Sequence, residues 1–192
     1  MRLPRWSHRD RATTCILLGG SGADERGHGA LSGVLAIIWH SRTGAARTMA
    51  EAAFAGACEA GEVVLIAAET AQPDAMLAAR GYLFAAPENL GTMSGAMKEF
   101  FDRCYYPLLG QIEGRAYATL IAAGSDGSGA QAQIDRIATG WRLRRVADRL
   151  IAVVGAQTPE AILAPKCVDH AVLARCREMG QALAEGLAQG VF

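Results

Sequence analysis

The chain has 192 residues, 51% of them hydrophobic, and a formal net charge of +0. This length suits one well-filled domain and is short for two. The balanced charge gives the molecule no overall attraction to nucleic acid or to an acidic membrane surface. The five cysteines show neither a CxxC pair nor a zinc-like Cys/His spacing, so we predict free thiols in a reducing cytoplasm and no metal site.

The first 33 residues differ from the rest of the chain. Arginines cluster at the start, a brief apolar run follows at 15–18, and the remainder is glycine-rich without periodicity. The run is shorter than the apolar region of a signal peptide, and no stretch reaches the roughly 20 apolar residues of a membrane span. We therefore predict a disordered extension over residues 1–33 and a folded domain over residues 34–192.

Strands and helices alternate through residues 34–192. Apolar, β-branched runs predict five strands, at 34–39, 62–68, 81–86, 115–123 and 150–155. Helical periodicity predicts helices between and after them, at about 45–60, 73–80, from Ser94 onward, 130–142 and 168–188. This alternation predicts a three-layer α/β fold with a doubly wound, five-stranded parallel sheet in the order 2-1-3-4-5.

The turn after the first strand predicts a phosphate site. Ser41, Arg42, Thr43 and Gly44 separate the strand from a helix, and a helix N-terminus presents free backbone N–H groups to an anion. The turn contains neither GxGxxG nor GxxxxGK[ST], which excludes those two phosphate loops there. The hydroxyls of Ser41 and Thr43 and the glycine at position 44 instead favour a binding site for one terminal phosphate. The loops after strands one, three and four should converge on one crevice at the carboxyl edge of the sheet.

Three segments together resemble the flavodoxin-like, NAD(P)H-dependent FMN reductases. They are Ser41–Gly44 opening a helix, the segment from Pro87 to Arg103, and the segment from Ala123 to Ala130. The second segment is the specific one, and the resemblance covers about residues 34–187.

The resemblance implies FMN as the cofactor. In that family the first loop holds the phosphate, the second follows the ribityl chain and the flavin edge, and the third borders the isoalloxazine ring. The residues that this assigns to the cofactor are Ser41, Arg42, Thr43, Gly44, Ala45, Ala46, Pro87, Glu88, Asn89, Leu90, Gly91, Thr92, Met93, Gly124, Ser125, Asp126, Gly127 and Gly129.

Two positions depart from the family pattern. Ala46 stands where the family often has a threonine, and the missing hydrogen bond to a charged phosphate is worth roughly 1.5 to 3 kcal/mol. Thr92 stands where relatives often carry an aromatic residue, so less surface stacks on the ring. Both departures predict weaker FMN binding.

The resemblance implies an FMN-dependent oxidoreductase that takes hydride from NAD(P)H and reduces a quinone, a flavin or a similar small acceptor, commonly as a homodimer or homotetramer. No catalytic dyad is visible and none is required, because a flavin carries the chemistry itself. The alternative is a flavodoxin-type electron carrier without NAD(P)H activity of its own. Such carriers are usually strongly acidic so that they dock on basic partners, and the net charge of +0 argues against one.

Two groups of charged residues have competing interpretations. Glu88 and Asp126 could act as an acid/base pair, but capping of turns or exposure to solvent is the favoured interpretation. The basic run Arg142, Arg144, Arg145 and Arg149 could contact the 2′-phosphate of NADPH, but a solvated surface is favoured.

Overall fold

The computed structural model describes residues 15–18, 34–156 and 158–192. Within these ranges, strands and helices alternate as the sequence predicts. In chain order the elements are β1 Cys15–Leu18, β2 Leu35–Trp39, α1 Ala45–Ala57, β3 Val63–Ala67, α2 Pro73–Ala78, β4 Gly81–Asn89, β5 Thr92–Met93, α3 Gly95–Leu108, β6 Ala116–Ala123, α4 Ser128–Gly140, β7 Arg144–Arg145, β8 Leu150–Val153, α5 Pro159–Leu163 and α6 His170–Ala188.

The central sheet is parallel. Its strands lie in the order β1-β3-β2-β4-β6, and both β7 and β8 pair with β6. The five predicted strands correspond to β2, β3, β4, β6 and β8, and their order is 2-1-3-4-5. The predicted fold class and strand order are therefore confirmed.

Helices cover both faces of the sheet. On one face, aromatic side chains of α3 pack against β4, with the Phe84 and Phe101 ring centroids 5.1 Å apart, and aliphatic side chains of α4 join the same core. On the other face, alanine-rich α1 and α6 pack against each other, and both contact the sheet. A Cβ atom on Gly180 of α6 would lie 1.9 Å from the Ala53 carbonyl oxygen of α1. The small residues therefore allow α1 and α6 to lie close together on this face of the sheet.

The second predicted loop is in fact a β-hairpin. Strand β4 continues to Asn89, three residues beyond the predicted end, and pairs antiparallel with β5. The turn between them, Leu90–Gly91, has left-handed φ angles of 53° and 72°. Smaller differences concern helix ends, since α1 ends at Ala57 and α4 already begins at Ser128.

The prediction for residues 1–33 lies mostly outside the described residues. Within it, Cys15–Leu18 are described and form β1, which pairs parallel with β3 at the edge of the sheet. These four residues therefore add a strand to the sheet, and the prediction of disorder does not hold for them. No helix in the described ranges has the length and apolar character needed to cross a membrane.

One cysteine pair corrects the prediction of free thiols. Cys15 forms a disulfide with Cys58, which follows α1, and the two Cα atoms lie 5.9 Å apart. Cys104 and Cys176 are free and buried, and Cys167 is free and exposed. Burial raises the pKa of the Cys104 thiol to about 11 and that of Cys176 to about 12, so both behave as small apolar side chains at neutral pH.

Candidate functional site

A cavity of about 430 Å³ opens at the carboxyl edge of the sheet. Its volume lies within the range of small-molecule sites, roughly 300 to 1,000 Å³. The cavity is walled by the loop after β2, the β4–β5 hairpin, the loop after β6 and the segment after β8. The three predicted loops therefore converge as expected from the topology.

Twelve of the eighteen predicted site residues line this cavity. They are Ser41, Arg42, Thr43, Ala45, Ala46, Pro87, Glu88, Asn89, Leu90, Gly91, Gly124 and Ser125.

The start of α1 forms one end of the cavity. Gly44 adopts a left-handed φ of 97° at the N-cap, and its N–H donates to Ser41 Oγ at 3.1 Å. No side chain among the described residues caps this helix. Ala45 and Ala46 line the cavity here and are too small to obstruct it. The partial positive charge and free N–H groups of a 13-residue helix therefore remain open to an anion.

The start of α4 has a different environment, because Glu88 occupies it. One carboxylate oxygen of Glu88 accepts from the Gly127 N–H at 2.8 Å, and the other accepts from the Ala130 N–H at 2.9 Å. Asp126 also caps locally by accepting from the Ser128 N–H at 3.2 Å. Both acidic residues thus cap a turn or helix, which is the interpretation that the sequence favoured over an acid/base pair.

The remaining predicted residues shape the loops and are not among those that line the cavity. Met93 is buried in the core, and its N–H donates to Gln133 Oε1 at 2.9 Å. The Thr92 hydroxyl lies 3.2 Å from the Asn89 carbonyl oxygen. The other four are three glycines and one aspartate. Gly44, Gly127 and Gly129 occupy left-handed or closely packed backbone positions, and Asp126 accepts from the Ser128 N–H. The prediction that the second loop contacts a ligand as far as Met93 is therefore not supported by the position of that residue.

His40 and Ser94 join the first loop to the end of the hairpin. Ser94 occupies the N-cap position of α3, but its hydroxyl lies 2.7 Å from His40 Nδ1 and does not cap the helix. Glu69 lies 3.5 Å from the other ring nitrogen of His40. Burial lowers the pKa of His40, with Glu69 opposing this shift and Arg42 adding to it, so the ring is mostly neutral at pH 7. Ser94 is buried, which makes it a structural hydroxyl and not an accessible nucleophile.

The basic run lies away from the cavity. Arg145 and Arg149 both pair with Asp135, and Arg142 donates to Glu113 at 2.8 Å. Strand β7, which contains Arg145, pairs with Ala116 and Tyr117 at the amino end of β6. The cavity is at the opposite end of that strand. Arg142, Arg144 and Arg149 are exposed, as the surface interpretation predicts. Arg145 instead is half-buried against Asp135 and the Tyr117 ring. None of the four arginines is among the residues that line this cavity.

The sequence analysis did not predict one wall of the cavity. Ile162 and Leu163 of α5, and Lys166 just after it, all line the cavity. The Lys166 N–H donates to the Thr43 carbonyl oxygen at 2.8 Å, which ties this segment to the first loop. The only sequence signal was Thr158–Pro159, an N-cap residue followed by a proline at the first helical position.

The strand order and the cavity at the carboxyl edge define a flavodoxin-like α/β domain. Residues 67–156 match the model of the family described as NADPH-dependent FMN reductase, which confirms the resemblance found from the sequence. A flavodoxin of Aquifex aeolicus is 34% identical over 99 residues, which are 50% of this chain and 54% of that protein. The chain thus spans about half the length of this curated relative.

Solved structures agree on the fold. A WrbA-like flavodoxin from Agrobacterium tumefaciens superposes with a TM-score of 0.65 at 20% identity, covering 82% of this chain and 99% of that one. A flavodoxin from the domain Archaea gives a TM-score of 0.65 at 17% identity, covering 81% of this chain and 99% of that one. Together, the family match, the flavodoxin relative and the solved structures agree on a flavodoxin-like fold.

The Glu88 contacts lead to a stability prediction. Glu88→Gln replaces one acceptor oxygen by an NH₂ donor that faces a backbone N–H, so we expect the free energy of unfolding to fall by about 1 to 2 kcal/mol. Urea denaturation measures this change. The control is Glu51→Gln, which removes a carboxylate from an exposed pair with Arg47 and should cost less than about 0.5 kcal/mol. Equal losses in the two variants would contradict the capping role of Glu88.

Proposed function

We propose that the chain is an FMN-dependent oxidoreductase that takes hydride from NAD(P)H and reduces a quinone, a flavin or a similar small acceptor. The observation that carries this proposal is the open N-terminus of α1 at one end of the cavity. A ligand with a terminal phosphate and a planar body matches a cavity whose far walls are a hairpin and a glycine-bearing loop.

The residues present fit an FMN phosphate at the start of α1. Ser41 and Thr43 line the cavity with hydroxyl groups, and Arg42 adds a positive charge. A Cβ atom on Gly44 would meet nothing within 4 Å, so the space above the loop is free for a ligand. Backbone N–H groups of Ala45 and Ala46, the hydroxyls and the helix dipole would then hold the phosphate.

The flavin would extend from this phosphate between the hairpin and the loop after β6. Pro87, Glu88, Asn89, Leu90 and Gly91 would lie on one side, with Gly124 and Ser125 on the other. When bound, FMN supplies the hydride and electron transfer, so the protein has to bind and orient it and leave access for the acceptor. Overall, NAD(P)H, one proton and a quinone would give NAD(P)⁺ and a hydroquinone.

A flavodoxin-type electron carrier remains the second candidate, because the Aquifex aeolicus relative is a flavodoxin. The net charge of +0 favours the reductase, since a carrier depends on charge to dock its partner. As part of the same proposal, we place the protein in the cytoplasm as a homodimer or homotetramer that acts on a small molecule. The free thiols Cys104 and Cys176 agree with the reducing environment of the cytoplasm. The Cys15–Cys58 disulfide is the feature that would instead suit an oxidising compartment.

The absorbance of the flavin distinguishes the two candidates. The purified protein is mixed with FMN, desalted and then treated with NADPH in the absence of oxygen. We expect a retained flavin spectrum that bleaches on addition of NADPH. Retained flavin that does not bleach with NADPH or NADH would favour the carrier, and no retained flavin would contradict FMN binding.

A charge introduced at the first loop should prevent FMN binding. In Thr43→Glu a carboxylate replaces a hydroxyl that lines the cavity, so repulsion adds to the lost hydrogen bond, and we expect FMN affinity to fall by about 100-fold or more. Fluorescence titration measures the dissociation constant. Ala55→Glu is the matched control, because it adds the same charge at an exposed position of α1 outside the cavity. Unchanged FMN affinity in Thr43→Glu would contradict the phosphate assignment.

A further inference from the structure

The short helix α5 stands at the cavity with its apolar side chains unburied. None of its residues is buried, and the exposed fractions of Ile162 and Leu163 are 51% and 76%. Both residues line the cavity. Packing against the protein core therefore does not explain why these two positions are large and apolar.

Polar contacts hold α5 in place. At its start, Thr158 Oγ1 accepts from the Ala161 N–H at 3.2 Å. At its end, the Lys166 ammonium donates to the carbonyl oxygens of the last turn, including that of Ile162 at 3.0 Å. The Lys166 N–H then ties the segment to Thr43 of the first loop at 2.8 Å. The fold thus positions this helix through its ends and leaves its apolar side chains available to a ligand.

Leu90 adds a third apolar side chain from the hairpin. It lines the same cavity, and its side chain is fully exposed. Its left-handed φ of 53° is a strained backbone conformation for a residue other than glycine. The side chain of this strained leucine is not buried in the core. Backbone strain that packing does not explain is found most often at binding sites. We call Leu90, Ile162 and Leu163 the apolar rim.

We propose that the apolar rim binds the isoalloxazine ring of FMN, an inference that rests on the proposed function. The rim belongs to the same cavity as the start of α1, and the Lys166–Thr43 hydrogen bond connects the two. A fused aromatic ring system is the part of FMN that gains from contact with aliphatic side chains. Since Thr92 is not aromatic and is not among the cavity-lining residues, the rim supplies apolar contact that the hairpin strand does not.

The test compares FMN with riboflavin, which has the same ring system but no phosphate. In the double variant Ile162→Ser/Leu163→Ser we expect the affinity for both flavins to fall by a similar factor of about 10 or more, because about 1.4 kcal/mol of apolar contact is tenfold. Quenching of flavin fluorescence gives both dissociation constants. The control is Leu109→Ser/Val191→Ser, which makes the same kind of change at two exposed apolar positions outside the cavity and should leave both affinities unchanged.

A second variant uses the strain at the hairpin tip. Leu90→Gly relieves the left-handed backbone and removes one rim side chain. We expect a higher midpoint of urea denaturation together with weaker binding of both flavins. A gain in stability with unchanged flavin binding would contradict a role for Leu90.

The outcomes separate the rim from the proposed function. If the unmodified protein binds neither flavin, the proposed function fails. If it binds both and the double variant binds them equally well, the rim assignment alone is overturned. A loss confined to FMN would also overturn it, since it would place the effect of α5 at the phosphate end.

Discussion

The two hydrogen bonds that the Glu88 carboxylate accepts from the start of α4 set the geometry of the whole carboxyl edge. They join the β4–β5 hairpin to the helix after β6 and bring two of the cavity walls together. A Cβ atom on Gly129 would lie 1.9 Å from the Gly91 carbonyl oxygen, which shows how closely these walls approach. The same contacts place the protein's own negative charge at the N-terminus of α4. Among the described residues, no carboxylate caps the N-terminus of α1, and it is therefore the end of the cavity that suits an anion.

The site combines elements of different rigidity. The strands that carry its loops are buried on both faces, and His40 and Ser94 connect the first loop to the hairpin at 2.7 Å. The hairpin tip and α5, by contrast, expose apolar side chains and are held mainly through polar contacts. This division suits a site in which the phosphate end is fixed and the ring end is covered by side chains that a ligand would bury.

The sequence predicted the parts of the fold that follow from repeated patterns. Five buried apolar runs alternating with helical periodicity are enough to predict the sheet order, and the sheet order is enough to bring Ser41, Pro87 and Gly124 to one edge. The hairpin was missed because its turn uses a leucine with positive φ at position 90, a residue type that turn rules do not favour there. Helix α5 is too short for a periodic apolar face and buries none of its residues. The pairing of Cys15 with Cys58 bridges a separation of 43 residues, and spacing alone does not reveal such a contact.

We infer that the start of α1 binds the phosphate of FMN. Two-dimensional ¹H–¹⁵N NMR of the full chain, titrated in parallel with FMN and riboflavin, tests it most directly. We expect the amide signals of Gly44, Ala45 and Ala46 to shift with FMN and much less with riboflavin. Those of Gly127 and Ala130, which donate to Glu88, should not show this difference. A phosphate-dependent shift at the start of α4, or none at the start of α1, would show that α1 does not bind the phosphate.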